Sequence, residues 1–452
     1  MKKLTTLFVT VAMIFSQVPF LFALEGENES QTNTVQVQTK DEDKLKKEEN
    51  KTDTDEQKTK QGDTKTNDST NADENKSKVE EKSDSDSKDT KSQDFLLDSL
   101  TAKSAILIDA GTGKVLLEKN SNDQLPPASV TKVMTMLLIC DAIESGKISL
   151  DDDVQISENA SGMGGSQIFL ETGETQKLDT LLKSIAVASA NDACAAVAEH
   201  IAGSIDGFVK LMNDKAKELK LKNTNFVNTN GLPVENHYTS ANDIAVMSKE
   251  LFEHDMIQKY LNIWMDKVVV GKKKAEIGIS NTNKMLKSYN GCIGGKTGFT
   301  QEAKYCITVA AKRDNTTLIA VIMGAETSKI RNKEAASLLD YGFANYESVK
   351  IASKGANVGS INLQKAQSDK VDLVIKNDLV ALVKKGGNKN FKKTIKVNPN
   401  IELPIKAGST LGKIEIKNEK GDLVGEVDLI INKDVNKAGF GKMLEKLIEN
   451  LV

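Results

Sequence analysis

Several residue types that would mark other classes of protein are scarce in this 452-residue chain. Its three histidines, His200, His237 and His254, are scattered, and none of its four cysteines, Cys140, Cys194, Cys292 and Cys306, forms a CxxC pair. Zinc sites usually cluster their ligands at short spacing, so no metal is expected. Four isolated cysteines in a chain of this length do not make a disulfide framework, and Cys140, Cys194 and Cys306, set in apolar stretches, read as buried thiols. No long apolar run occurs after residue 24, which excludes a polytopic membrane protein. Aromatic residues are 4% of the chain, and from Glu25 to Asp94 there is no Phe, Trp or Tyr.

That stretch also distorts the overall charge of −3, because it holds 13 Lys against 21 Asp or Glu, a net −8. The remainder from residue 95 onward carries 46 basic and 43 acidic residues, about +3, too near neutral for a dedicated nucleic-acid binder. A segment with so little apolar content cannot bury enough surface to offset its ordering entropy, so 24–94 is expected to be a disordered, acidic, low-complexity segment. Ahead of it, Lys2 and Lys3 followed by the apolar stretch Leu7 to Phe22 and by Ala23 read as a secretory signal over 1–23. The alternative is an uncleaved anchor, for which the run is short. No cysteine follows it for lipid attachment. Either way the bulk of the chain is expected to be exported, at the outer face of the cytoplasmic membrane or in the cell wall.

The length suggests two or three domains at about 150 residues each. Ala105–Asp109 and Lys114–Glu118 flank Ala110-Gly-Thr-Gly113, a hairpin pattern. Pro126-Pro127 then stops the extended chain, and Ser129 to Ile143 is apolar on nearly every face, as a central buried helix would be. Leu178 to Ile201 reads as helix with Ser189-Ala-Asn191 interrupting it, Asp206 to Leu219 as an amphipathic helix, and Glu334 to Phe343 as another. Tyr305–Ala311 and Thr317–Met323 read as an antiparallel hairpin. Strands at both ends with helices between predict one α+β domain over 95–344. Six short alternating runs between Val358 and Ile431 predict a small β-sandwich-like domain over 345–432. Over 433–452, Phe440, Met443, Leu444, Leu447, Ile448 and Leu451 recur at helical spacing. An amphipathic helix of that kind either packs on the protein or lies in a membrane surface.

Three short motifs can carry chemistry. Ser129-Val-Thr-Lys132 sets a hydroxyl and an amine at i and i+3, on one face of a helix. A serine is a weak nucleophile until a neighbour accepts its proton, and a buried lysine, its pKa lowered by desolvation, can do so. Ser85-Asp-Ser-Lys88 matches the same pattern inside the acidic segment, so context distinguishes them. Ser189 and Asn191 could relay a proton and hold a carbonyl, or simply cap a helix. Lys296-Thr-Gly298 could hold an anion and depress the pKa of Lys132 by like-charge repulsion, with Gly298 admitting close approach of a ligand, or could be an ordinary loop.

Together and in this order, S-x-x-K, S-x-N and K-T-G resemble the penicillin-binding proteins and serine β-lactamases. The resemblance runs from about Leu100 to Ile431 and is nearest the low-molecular-mass D-alanyl-D-alanine carboxypeptidases. Pro127 to Thr135, Asn230-Gly-Leu-Pro233, His237 to Asp243, and Lys296 to Thr300 with Ala303 and Cys306 carry it. It implies a β-lactamase/transpeptidase-like catalytic fold, no cofactor, and removal of the terminal D-Ala from peptidoglycan stem pentapeptides, with β-lactams acylating the same serine. Residue by residue, it implies Ser129 as nucleophile, Lys132 as general base and Ser189 in proton relay. Asn191 would line the opposite wall, Lys296 organise the hydrogen bonds, and Thr297 contact the substrate carboxylate beside Gly298. The amides of Ser129 and Phe299 would form the oxyanion hole, and Arg331 would bind the terminal carboxylate. The same layout favours a membrane surface as partner of the C-terminal helix. Lys304 departs from the pattern where a glycine is frequent, and the acidic segment has no counterpart in it. Cys194, three residues beyond Asn191, reads as a packing residue, since no histidine is placed to activate it. A serine β-lactamase is a second possibility, weakened by the lack of a Glu-x-x-Leu-Asn run between Asn191 and Lys296. A non-catalytic wall-binding or sensor protein is a third, opposed by the presence of Ser129, Lys132 and Lys296.

Overall fold

A computed structural model of the chain describes residues 93–443 apart from 364 and 369. The expected signal and nearly all of the acidic segment lie outside the described residues. A short helix, α1 (residues 93–99), leads into the hairpin β1 (Ser104–Asp109) and β2 (Val115–Lys119). A 3₁₀ turn (Ala128–Thr131) opens onto α2 (Lys132–Glu144). There follow β3 (Asp153–Gln155), α3 (Glu158–Ser161), β4 (Thr175–Lys177), α4 (Leu178–Ala188), α5 (Asn191–Ala202), α6 (Ile205–Glu218), α7 (Ala241–Glu253) and α8 (Asp255–Leu261). The hairpin β5 (Met265–Val270) and β6 (Ala275–Ser280) and the turn α9 (Met285–Ser288) lead to β7 (Cys292–Thr300), β8 (Lys304–Arg313), β9 (Thr316–Ala325) and α10 (Ser328–Asn345).

The main sheet is antiparallel with the order β2-β1-β9-β8-β7, so the ends of the chain segment meet at its centre and β7 is an edge. The alternation of β9 explains the layers. Ile319, Val321 and Met323 join the core beneath α2, α5 and α7, while Leu318, Ala320 and Ile322 join the core beneath Leu338, Leu339 and Phe343 of α10. A strand buried on both faces reads as a continuous apolar run, as this one does. Helix α2 is central because Val133, Met134, Met136, Leu137, Ile139 and Cys140 are all buried around it. The fold is therefore mixed α+β, as expected.

Past α10 the chain is all strand: β10 (Tyr346–Ala352), β11 (Asn357–Asn362), β12 (Lys370–Ile375), β13 (Leu379–Lys384), β14 (Lys392–Val397), β15 (Thr410–Lys417) and β16 (Leu423–Ile430). Five of these form a sheet ordered β11-β12-β16-β15-β14, and β10 pairs with β13. Leu373, Ile414, Ile416 and Leu429 centre a separate core. The junction is tied by Tyr346 and Leu382, which bury in the α10 cluster, and by an ion pair of Lys354 with Asp255 at 2.6 Å.

Three features differ from the sequence-based expectations. Ser129 lies in the 3₁₀ turn rather than on the α-helix, because the Pro126-Pro127 entry holds Ala128 at φ +48 and regular α geometry begins only at Lys132. The hairpin β5–β6 was not foreseen: its apolar alternation is short, with only Val268, Val270 and Ile279 buried and most other side chains exposed. At the C-terminus, residues 433–439 are not helical, with Val435 bridging Ile405 and Lys437 bridging Ala366, and helix begins only at residue 440. Beyond 443 the expected amphipathic helix lies outside the described residues.

Candidate active site

Four segments carry the expected site residues: the 3₁₀ turn holds Ser129, the first turn of α2 Lys132, the break between α4 and α5 Ser189 and Asn191, and edge strand β7 Lys296, Thr297 and Gly298. Lys132 is fully buried, with its Nζ 3.1 Å from Ser129 Oγ, 2.7 Å from Asn191 Oδ1 and 2.8 Å from the Asn230 carbonyl oxygen. These three partners define what the amine can do. Two are carbonyl oxygens that only accept. A neutral amine has two N–H groups and one lone pair, so the carbonyls take the N–H groups and the lone pair faces the one partner able to donate, the Ser129 hydroxyl. Burial lowers the pKa of Lys132 from 10.5 to about 8, which makes the neutral form accessible.

Lys296 is equally buried, and burial together with the charge of Lys132 holds its pKa well below the ordinary value. Its Nζ donates to the Thr297 carbonyl at 2.9 Å. Thr297 Oγ1 lies 2.7 Å from Thr282 Oγ1. The K-T-G triplet lies inside strand β7, not in a loop, and its register pairs Lys296 with Thr308 and Gly298 with Cys306. Gly298 is required sterically: a Cβ there would stand 2.9 Å from the Ser129 amide nitrogen and 2.8 Å from the Pro127 carbonyl oxygen. Strand β7 and the turn that carries Ser129 are therefore in close backbone contact at Gly298, and Phe299 is the next residue along the edge.

Ser189 ends α4 in the left-handed conformation at φ +60, and its Oγ is buried without a hydrogen-bond partner among the described residues. Asn191 is not a helix cap. It is the first residue of α5, whose N-cap is Ala190, and its amide group spans Lys132 Nζ and the Gly164 carbonyl at 2.6 Å. Arg331, on α10, is 5% exposed, with its guanidinium 5.9 Å above the Tyr305 ring. No carboxylate of the described residues pairs with it, and burial lowers its pKa to about 10. Lys296 thus lies within electrostatic reach of both Lys132 and Arg331, a cluster of buried basic side chains complementary to an anionic group. Cys194 is buried with its thiol pushed up to about 11, so it is a packing residue and not a nucleophile.

The sequence named Ser129, Lys132, Ser189, Asn191, Lys296, Thr297, Gly298, Phe299 and Arg331, but not Thr282, the Gly164 and Asn230 carbonyls or the scaffold behind Ser129. His237 Nδ1 accepts from the Val227 amide at 3.0 Å, so its Nε2 carries the proton and donates to Thr131 Oγ1 at 2.8 Å. Gly231, at φ +87, lies so close that a Cβ would be 1.8 Å from the Ala128 carbonyl oxygen. The Asn230-Gly-Leu-Pro and His237 segments were visible as resemblance, but their contact with residues a hundred positions earlier is a tertiary fact.

An antiparallel sheet between helices, with a hydroxyl facing a desolvated amine, is the architecture of serine-type acyl-transfer enzymes. The comparisons specify which. The family model Peptidase_S11, described as D-alanyl-D-alanine carboxypeptidase, matches residues 87–327, and that of the penicillin-binding protein 5 C-terminal domain matches 346–437. D-alanyl-D-alanine carboxypeptidase DacF of Bacillus subtilis is 45% identical over 346 residues, 76% of this chain and 88% of that one. DacC of Escherichia coli is 33% identical over 350 residues, 76% and 86%. Penicillin-binding protein 5 of Haemophilus influenzae superposes with a TM-score of 0.57 at 30% identity, covering 75% of this chain and 98% of that one. The chain belongs to the D-alanyl-D-alanine carboxypeptidase family and is a serine-type carboxypeptidase of cell-wall peptides.

Proposed function

We propose that Ser129 removes the terminal D-Ala from peptidoglycan stem pentapeptides through an acyl-enzyme. The observation that carries this reading is the 3.1 Å contact of Ser129 Oγ with a buried amine of pKa about 8. Ser129 Oγ bonds to the carbonyl carbon of the penultimate D-Ala while its proton passes to Lys132. The oxyanion is held by the amides of Ser129 and Phe299, each donor worth about 3 kcal/mol. The C–N bond then breaks, and the proton returns through Ser189 to the leaving amine. Thr297 and Arg331 bind the carboxylate of the departing D-Ala, while Lys296, Gly298 and Asn191 shape the cleft. Water attacks the ester, gives its proton to Lys132, and Ser129 is regenerated. A β-lactam follows the same first step, but its leaving amine stays tethered, so the adduct persists.

The same reading assigns residues 1–23 to an export signal, 24–94 to a solvated spacer, 95–344 to the catalytic domain, 345–432 to the β domain and the C-terminus to a membrane-surface anchor. Supporting the anchor, Phe440 and Met443 are both exposed, Phe440 at 85%. No helix among the described residues is long and apolar enough to cross a membrane.

Mass spectrometry of protein treated with penicillin tests the central step. The wild type is expected to gain one penicillin mass and Ser129→Ala none, with D-Ala released from diacetyl-Lys-D-Ala-D-Ala only by the former. An adduct on the variant would sink the assignment, and loss of the wild-type adduct within seconds would point to a β-lactamase.

A further inference from the structure

The segment between α3 and β4 is laced to the start of α5. The Asn191 side chain donates to the Gly164 carbonyl at 2.6 Å, and its backbone amide donates to the Ser166 carbonyl at 2.7 Å. The carboxylate of Asp192, itself buried, accepts from the amides of Ile168 at 3.0 Å and Leu170 at 3.1 Å. Between those two clamped amides sits Phe169. Ile168 and Leu170 are buried, yet Phe169 is 68% exposed and stands in the left-handed region at φ +61.

Packing does not account for that combination. A bulky residue at positive φ is strained, and such strain persists only where the surroundings enforce it. Here a buried carboxylate enforces it and holds a large apolar ring in solvent, at a position where Gly or Asn would relieve the strain and remove the exposed apolar surface. The clamp belongs to the catalytic wall, because Asp192 is adjacent to Asn191, which binds Lys132 Nζ. On the facing element, Phe299 is 45% exposed directly after Lys296-Thr-Gly298, its ring 4.3 Å from that of Tyr305. One exposed aromatic thus follows Lys296-Thr-Gly298 on β7, and another stands in the segment that Asn191 and Asp192 hold.

We infer that Phe169 is a specificity-determining residue of this same site, its ring packing on the apolar part of the stem peptide that precedes the scissile bond. The inference rests on the carboxypeptidase reading. In that reading the terminal carboxylate belongs to Thr297 and Arg331, on β7 and α10. Phe169 is tied instead to Asn191, on the wall opposite β7, so it meets the acyl side of the substrate. The partner is an aliphatic side chain, which an aromatic face binds through apolar burial.

Two substrates separate the roles: N-acetyl-D-Ala-D-Ala, which lacks the preceding residue, and diacetyl-Lys-D-Ala-D-Ala, which has its aliphatic chain. Wild type is expected to favour the longer one. Phe169→Ala should lower kcat/KM for the longer substrate about tenfold, through KM with kcat kept, and leave the shorter within about twofold. Phe169→Leu should restore most of the preference. An equal fall for both substrates, or no fall for either, overturns the inference. Wild-type protein that frees no D-Ala from either overturns the carboxypeptidase reading and this inference with it.

Discussion

At the scale of single residues, the site runs on desolvation. In the proposed mechanism Lys132 can serve as base because it is buried, and its pKa of about 8 sets the pH dependence. The base must be neutral to take the Ser129 proton, so the second-order rate of penicillin acylation should rise with pH and level off above about 8. Stopped-flow acylation from pH 6 to 10 checks this, and a rate that falls over that range would contradict it. His237 makes the opposite kind of contribution. Burial holds it neutral, lowering its pKa from 6.5 to about 4. The unfolded chain takes up a proton below about pH 6.5 and the folded chain only below about 4, so stability is complete above the upper value and is lost as pH falls between them. Between pH 7 and 4 this residue alone should remove about 3 kcal/mol. Urea denaturation of wild type and His237→Gln across that range should show a shallower decline in the variant. The residues themselves were readable from the motifs. What could not be read was that the Asn230 carbonyl orients the Lys132 amine, because a backbone oxygen leaves no mark in composition or spacing.

At the scale of elements, the nucleophile is placed by close backbone packing rather than by side chains. The 3₁₀ turn is pressed between β7 at Gly298 and the loop at Gly231. Gly231→Ala would put a methyl group 1.8 Å from the Ala128 carbonyl oxygen at a residue with φ +87. We expect that change to cost about 2–4 kcal/mol and to abolish penicillin acylation, read by urea denaturation and by adduct mass. The elements were legible wherever burial imposed a period. β9 and α2, buried all round, announced themselves, and α4 and α5 broke at Ser189 as expected. The β5–β6 hairpin was missed because its alternation spans only Val268, Val270, Ile277 and Ile279 among mostly exposed side chains. The K-T-G triplet was recognised, but its position inside an edge strand was not, since Gly294-Gly295 before it suggests a loop while pairing with β8 makes it a strand.

At the scale of the whole molecule, charge and cores separate. The β region has its own core, and the Lys354–Asp255 pair across the junction is largely exposed. Such pairs contribute about 0–1 kcal/mol, so Lys354→Ala should shift the denaturation midpoint little, and burial of Tyr346 and Leu382 should hold the junction. The acidic segment, net −8, contains none of the residues that the proposed mechanism uses. Deleting 25–94 should leave D-Ala release unchanged in purified protein. Removing 440–452 should likewise spare activity but abolish sedimentation with anionic lipid vesicles.

By itself the sequence determined the fold class and the family, and nominated Ser129, Lys132, Ser189, Asn191, Lys296 and Arg331 as the site. Apolar period and motif spacing are local properties that survive in a string of letters. Only the tertiary structure decided the lone-pair direction of Lys132, the neutral state of His237, the absence of a carboxylate beside Arg331 among the described residues, and the clamp that holds Phe169 outward. Each depends on groups far apart in the chain and on the loss of water around them, and desolvation is a property of the folded neighbourhood rather than of any residue.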